Sequence, residues 1–456
     1  MLMKTRQMDR SLLERYDQRV PRYTSYPTAP HFHPGVGADT YLKWLGNLGA
    51  HTPLSLYFHV PFCKEMCWYC GCHTKVVRRY QPVSDYAAIL ADEIALIAAA
   101  IPGRPPVTHM HWGGGTPTIL SAADSTHLME RIGALFSVTP DAEIAVEMDP
   151  RTVTREHVTA LARVGVNRAS LGVQDFNDQV QRAINRIQPY EMTAQVVDWL
   201  RDAGIGGINF DLMYGLPYQT VDDVNRTVDL AVRMQPDRFA VFGYAHVPWM
   251  KTHQKMITED SLPDVMARFE QAEAAAVRLA QHGYRRIGLD HFARETDAMT
   301  LALDNGTLRR NFQGYTTDPA TALIGFGASS IGALPEGYVQ NSVPMHQHAQ
   351  AVRQGRPAVV KGIALTDEDR LRRDTIERLM CDMSVDLADL TERYGRPADH
   401  FANEIAALAP MIADGIAEVH ETQIRITEFG RPLMRAVCAV FDQYLEAGAA
   451  RHSRAV

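Results

Sequence analysis

Between residue 54 and about 290 the apolar positions follow two alternating periods. Short β-type runs lie at 54–60, 107–111, 143–148, 167–172, 205–210 and 237–244. Stretches with apolar residues at helical spacing separate them, near 84–101, 121–136, 154–164, 189–203 and 220–234, and a further helix is expected over 262–282. Sequential strand–helix units imply a parallel sheet with right-handed crossovers. Six units are too few to close an eight-stranded barrel, so the expected fold is α/β, a partial (βα)6 TIM-like barrel. Residues 1–53 show little periodicity and read as an extended N-terminal arm. From about 365 onward the pattern is mostly helical, over 367–383, near 398–414 and over 431–447, with 416–428 able to supply a short β-hairpin. The expected division is therefore an arm (1–53), a barrel with a loop extension (54–364) and a mostly helical C-terminal domain (365–456).

The least ordinary residues fall where the strands end. After 54–60 comes Cys63-Lys64-Glu65-Met66-Cys67-Trp68-Tyr69-Cys70-Gly71-Cys72, and after 107–111 comes Trp112-Gly113-Gly114-Gly115-Thr116-Pro117. Glu147 and Asp149 close 143–148, Gln174 follows 167–172, Asp211 follows 205–210, and Ala245-His246-Val247-Pro248 follows 237–244. In a barrel those ends form one face, where active sites are built. Taken singly, a glycine turn or a strand-end acid is ordinary. Their gathering on one face carries more than any single motif.

The cysteine loop is the most specific of them. C-x3-C-x2-C spacing can turn Cys63, Cys67 and Cys70 inward on one inorganic centre. Three thiolates on a 4Fe–4S cluster would leave one iron open, as catalytic metal sites do. A structural zinc knuckle that adds Cys72 stays open on spacing alone, although x3-x2-x1 is cramped for a tetrahedral site. The glycine run would let a ligand lie against backbone, and a carboxylate such as Glu147 suits vicinal hydroxyls because it accepts two hydrogen bonds. The stretch from Gly325 to Gly332 lacks the strand–GxGxxG–helix context of a dinucleotide site. Cys381 and Cys438 read as buried core thiols, and His109 and His111 as structural.

Composition changes this picture only by exclusion. A net charge of −7 and a pI near 6.2 offer no basic field for nucleic acid. Six cysteines, four of them within ten residues, do not form a secreted disulfide framework. No uncharged stretch reaches membrane-spanning length, and the first ten residues are too charged for a signal-peptide core. Cytoplasm is the expected compartment, with no membrane partner.

Tyr57-x-His59-x-Pro61-Phe62-Cys63-x3-Cys67-x-Tyr69-Cys70 resembles the radical S-adenosylmethionine (SAM) enzymes. The ending Cys70-Gly71-Cys72 and the octapeptide Pro21-Arg22-Tyr23-Thr24-Ser25-Tyr26-Pro27-Thr28 resemble one branch, the oxygen-independent coproporphyrinogen III oxidases; the likeness spans roughly residues 17–447. It implies that Cys63, Cys67 and Cys70 hold a 4Fe–4S cluster flanked by Tyr57 and Tyr69. It further implies that the glycine-run residues Gly114, Gly115 and Thr116 contact the amino group of SAM, and that Glu147 meets its nucleoside. Ile331 would sit beside this first SAM. Gln174, Arg186, Asp211 and Ala245, with Tyr69, Gly115 and Thr116, would serve a second SAM.

The reaction implied is oxidative decarboxylation of two propionates of coproporphyrinogen III to vinyl groups, giving protoporphyrinogen IX, and the loop extension would line the substrate. Arg22, Arg285, Arg286, Arg309 and Arg310 are candidate partners for the substrate carboxylates. A flavodoxin- or ferredoxin-like electron donor and a monomeric state are expected. Two other readings of this scaffold stay open: a haem chaperone, and a radical SAM methyltransferase or haem-degrading enzyme.

Overall fold

The computed structural model describes residues 8–445. The first seven residues of the arm and residues 446–456, with the last two positions of the helix expected over 431–447, lie outside the described residues; the α-helix found in that span is shorter, Met434–Ala439. Each expected strand is present, with ends that shift by up to six residues: Leu54–Val60, Pro106–Gly114, Ser137–Met148, Arg168–Gln174, Gly207–Tyr214 and Arg238–Gly243. They lie side by side in chain order and pair in parallel. The crossover helices fall where the spacing places them, at Gln81–Ala100, Ala122–Leu135, Arg155–Arg163, Tyr190–Asp202 and Val221–Arg233, and Val265–Gln281 follows the last strand. Side chains of Ser121, Thr154 and Thr220 cap three of these helices by accepting from backbone N–H groups in the first turn.

The sheet is larger than the apolar pattern predicts. A seventh parallel strand, Ala322–Phe326, pairs with the far side of Leu54–Val60. Antiparallel strands Ile331–Leu334, Gly337–Asn341 and Val359–Ala364 continue it on that side, and His291–Arg294 and Tyr284–Ile287 on the other, giving twelve strands in an order that does not close. Ala322–Phe326 lies in a glycine-rich stretch with no long amphipathic helix before it, so the βα rhythm does not announce it. Being covered on both faces, Leu54–Val60 is buried at six of its seven positions. Phe58 stacks on Trp112 of one neighbour at 4.2 Å and on Phe326 of the other at 4.9 Å, which locks the three strands in register.

Beyond 364, the helix Asp367–Asp382, the shorter helices Leu387–Arg393, Ala402–Ala407, Ala409–Ala413 and Met434–Ala439, and a three-stranded sheet follow. Two of that sheet's strands, Ala417–His420 and Gln423–Ile426, form the expected hairpin. The arm is less extended than its sequence suggests. Arg10–Tyr16 is a helix, and its Leu13 and Tyr16 pack with Tyr23 and Tyr26 among C-terminal residues such as Leu371, Leu379 and Phe441. Ala38–Gly46 is a second helix, whose Tyr41, Trp44 and Leu45 join the main core instead. Among the described residues no helix is long and apolar enough to cross a membrane.

Candidate active site around the cysteine loop

The strand Leu54–Val60 delivers the cysteine loop, and the sulfurs of Cys63, Cys67 and Cys70 each meet a hydrogen-bond donor there. Thr74 Oγ1 donates to Cys63 Sγ at 3.2 Å, and the Cys72 N–H donates to Cys70 Sγ at 3.4 Å. Two guanidinium groups reach Cys67 Sγ, Arg151 at 3.3 Å and Arg186 at 3.6 Å. Donors on these three sulfurs suit thiolates and the net negative charge of an iron–sulfur cluster. Burial pushes the Cys63 thiol up to about 11, whereas hydrogen bonding from Cys72 draws Cys70 down to about 6. Among the described residues no group of three or more His, Cys, Asp or Glu side chains is disposed to hold a single metal ion. All six cysteines are free, and Cys381 and Cys438 are buried in the core as expected.

Asp149 organises the base of the loop. Its carboxylate accepts from Arg151 Nη2 at 2.7 Å and from Arg186 Nη2 at 3.3 Å, and Arg186 also donates to the Gly172 carbonyl at 2.6 Å. Burial works against the charge of Asp149, yet Arg186 and Arg151 together hold its pKa below the usual value. Asp149 stands out in the sequence as a strand-end acid, but nothing there signals that it pairs with Arg151 beside a cysteine.

Tyr57, Gly114 and Glu147 meet one strand over. Glu147 accepts from the Gly114 N–H at 3.2 Å and lies 3.0 Å from His111 Nε2, which makes His111 part of this group. Burial opposes ionisation of Glu147, but the His111 and Gly114 hydrogen bonds outweigh it and keep the group below its ordinary pKa. Tyr57 stacks on His111 and lies 3.0 Å from His59 Nδ1, while His59 Nε2 lies 3.0 Å from the His73 carbonyl. A carbonyl can only accept, so His59 carries its proton on Nε2 and accepts from Tyr57; burial lowers its pKa and keeps it neutral.

Glycine is required at two positions of the run. Gly114 has φ of 117°, and a Cβ there would stand 2.9 Å from the His59 ring and the Val60 carbonyl. A Cβ at Gly115 would lie 2.4 Å from the Phe62 carbonyl, so the glycine run presses against the root of the cysteine loop. Thr116 is buried and its hydroxyl accepts from the Asp149 N–H at 3.3 Å.

Gln174 sits at a strand end with φ of 66°, an uncommon conformation for a residue with a side chain. Its side-chain amide and Arg186 both crowd Gly172. Asp211 lies within its strand, not after it, accepting from Ser170 at 3.1 Å and Asn209 at 2.9 Å; burial raises its pKa to about 6. Ile331 lies two strands from Leu54–Val60; its backbone neighbours Gly325, the residue paired with Tyr57, and it packs with Phe32, Tyr338, Ile363 and Leu365.

Nothing in the sequence marks residues 251–254, beyond the strand Arg238–Gly243, yet they clamp the cysteine loop. Lys251 Nζ donates to the Cys72 carbonyl at 3.0 Å, His253 Nε2 lies 2.7 Å from the Cys70 carbonyl, and Gln254 Nε2 donates to the Tyr69 carbonyl at 3.0 Å. Gln254 also donates to the Ala245 carbonyl at 3.3 Å and accepts from the Val247 N–H, tying Ala245 to the loop. No spacing rule flags one His among 18.

Behind the site, Glu93 is buried in the helix Gln81–Ala100. It accepts from the Gly327 N–H and from Asn341, and Tyr86 beside it joins the His59 carbonyl to the Ala328 N–H. The glycine-rich loop is thus anchored against the strand that carries Tyr57.

Known proteins match this arrangement along nearly the whole chain. Residues 57–231 match the radical SAM superfamily, whose members use a 4Fe–4S cluster and SAM, and residues 365–433 match the HemN C-terminal domain. An oxygen-independent coproporphyrinogen III oxidase of Bradyrhizobium diazoefficiens is 54% identical over 96% of this chain and 98% of its own. The protein of that name from Escherichia coli is 40% identical over 96% of this chain and 95% of its own. A solved structure of coproporphyrinogen III oxidase (HemN) from Escherichia coli, described as a radical SAM enzyme, superposes with a TM-score of 0.89 at 39% identity, covering 94% of this chain and all of that one. The chain belongs to the oxygen-independent coproporphyrinogen III oxidases of the radical SAM superfamily.

Proposed function

We propose that this chain oxidatively decarboxylates two propionates of coproporphyrinogen III to vinyl groups, giving protoporphyrinogen IX. At each propionate a β-hydrogen atom, carbon dioxide and one electron are lost. The observation that carries the reading is the three-cysteine loop, with a donor on every sulfur, beside Glu147 and Gly114 in a chain whose full-length relatives bear the oxidase name. Cys63, Cys67 and Cys70 would hold the cluster, and their surroundings fit its charge. When bound, the cluster and SAM supply a one-electron cleavage that yields a hydrogen-abstracting radical.

The chain's own part is to bind, orient and hold charge. Ionised Glu147 is set to accept from ribose hydroxyls, with Gly114 leaving room beside it and Tyr57 and Tyr69 flanking the loop. Arg151 and Arg186 supply positive charge at Cys67 that Asp149 keeps fixed. We assign Ile331 to the first SAM and Gly115, Thr116, Gln174, Arg186, Asp211 and Ala245 to a second. Equilibrium binding under anaerobic conditions should give about two SAM equivalents for the wild type and near one for Asp211→Asn, from loss of a charge-assisted contact. A wild-type stoichiometry of one would remove the second site.

Further parts of the reading are ours as well. The sheet curves as a partial barrel, supported by the convergence of Tyr57, Glu147 and Asp211 on one side. The chain divides into arm, barrel and C-terminal cover at 53/54 and 364/365. It works as a cytoplasmic monomer, supported for the compartment by its free thiols, and takes electrons from a flavodoxin- or ferredoxin-like donor. Mass spectrometry of anaerobic turnover tests the core claim: coproporphyrinogen III should lose two molecules of carbon dioxide. Tight haem binding without turnover would instead make the chain a carrier, and a methylated product would make it a transferase.

A further inference from the structure

Six arginines, Arg19, Arg22, Arg268, Arg286, Arg310 and Arg435, line one cavity of about 270 Å³ beside the carboxyl end of the strand Arg238–Gly243. In a chain of net charge −7 this is a pronounced local excess of cations. Among the described residues the cavity has two carboxylates, and both are engaged: Glu273 with Arg286 at 3.0 Å and Asp290 with His291 at 2.8 Å. Three of the other guanidinium groups donate to backbone carbonyls. Arg22 donates to the Gly243 carbonyl at 3.4 Å, Arg268 to the Tyr244 carbonyl at 2.8 Å, and Arg310 to the Arg22 carbonyl at 3.3 Å. Arg310 also lies 4.3 Å over the Tyr315 ring, and its buried Nε and Nη1 have no hydrogen-bond partner. Burial, and then the neighbouring charge of Arg22, lowers the pKa of Arg435 to about 10, as a surplus of positive charge requires.

We infer that this cavity seats carboxylates of the tetrapyrrole, with Arg22, Arg268 and Arg310 gripping the propionates that are not being oxidised. Guanidinium forks match carboxylates two hydrogen bonds at a time, and unsatisfied buried donors are costly unless an anion arrives. The volume suits one propionate-bearing edge and not the whole macrocycle. The seat adjoins the reacting region, since Ala245 lines the cavity and shares the Gln254 amide with Tyr69. Arg285 and Arg309, sequence candidates for this task, are drawn away to Asp304 and Glu377. The inference rests on the functional reading above. A SAM carboxylate has the same chemistry, but a single carboxylate leaves most of these cations unanswered.

The test uses the full chain with coproporphyrin III, the stable oxidised tetra-acid, and its tetramethyl ester, in fluorescence titrations. Arg22 is exposed on the arm, so Arg22→Gln should fold normally. It should weaken tetra-acid binding about tenfold, as loss of one charge-assisted contact does. Arg22→Lys should recover part of that loss, Arg310→Gln should match or exceed it, and SAM affinity should not move. Equal binding of ester and acid, or an Arg22→Gln chain that binds the tetra-acid as the wild type does, would overturn the seat. Loss of SAM affinity by the same factor would reassign it to SAM and likewise overturn it. A seat that passes these titrations in a wild type that forms no vinyl product would stand, while the functional reading would fall.

Discussion

The two largest hydrophobic cores among the described residues are unlike. The larger lies on the parallel sheet and gathers residues from successive strand–helix units, Leu54 and Phe58 beside Val107, Trp112, Ile144 and onward. The smaller joins Leu13, Tyr16, Tyr23 and Tyr26 to Leu371, Leu379, Val437 and Phe441, so its halves come from opposite ends of the chain. Tyr23 donates to Asp442 across 419 residues of sequence. The first core is a product of local order and carries the chemistry. The second is a long-range closure that brings Arg22 over the site. Different perturbations should therefore break them separately.

The largest effect belongs to the first core. Serine at Cys63, Cys67 or Cys70 should abolish the iron–sulfur absorbance and SAM cleavage in anaerobically reconstituted protein, whereas Cys72→Ser should keep its iron. A Cys72 variant that loses iron while one of the other three retains it would overturn the assignment of ligands.

Next comes the second core. Removing residues 1–30 should leave the circular dichroism of the sheet largely intact but lower the melting temperature of the C-terminal helices, because Leu13, Tyr16, Tyr23 and Tyr26 of that core go with the segment. Leu13→Ala alone should cost about 3 kcal/mol in denaturant unfolding, as a large-to-small change in a closed core does. Unchanged stability would make the segment a mere surface arm. The two regions would then be far less different than they look.

Much of the first region is legible in the sequence, and for a physical reason. Apolar periods of 2 and 3.6 are local, so six strands and their helices appear at the right places. Catalytic-type residues gather at strand ends, so Cys63, Gly114 and Glu147 can be named without a structure. What escapes is pairing between distant segments. Tyr23 and Tyr26 sit in a proline-bounded stretch that reads as extended, and only their burial against residues near 440 shows them to be core. The strand Ala322–Phe326 is hidden by its glycines. His253 and Gln254 look like ordinary loop residues until they meet the carbonyls of the cysteine loop.

A middle-sized effect probes the charge pairing below that loop. Asp149→Asn leaves Arg151 and Arg186 without their shared carboxylate and should cost about 3 kcal/mol, as breaking a buried ion pair does. Equilibrium unfolding of the metal-free chain reads this directly. A loss below about 1 kcal/mol would put the pair in the class of solvent-exposed bridges.

The smallest effect is on pH dependence. Burial raises Asp211 from 3.8 to about 6. Between those values the folded chain keeps a proton that the unfolded chain has released, so this group's contribution to stability falls as pH rises through the window. Asp211→Asn should remove that slope. It should be neutral near pH 4 and stabilising near pH 7 by on the order of 1 kcal/mol, after allowance for solvent screening. An equal gain at both pH values would show that ionisation of Asp211 is not the cause.

The clamp on the cysteine loop also has a consequence in time. His253 and Cys70 are 183 residues apart, and Lys251 and Cys72 are 179 apart. At synthesis rates of about 5–20 residues per second, the loop waits roughly 10–40 s for its clamp to leave the ribosome. During that interval the thiols stand on a strand whose neighbours are still being added. Cluster loading is therefore expected as a late event, after the strand Arg238–Gly243 has paired and residues 251–254 have followed it, and a nascent chain halted before residue 250 should present its cysteines to alkylating reagents far more readily than the finished protein.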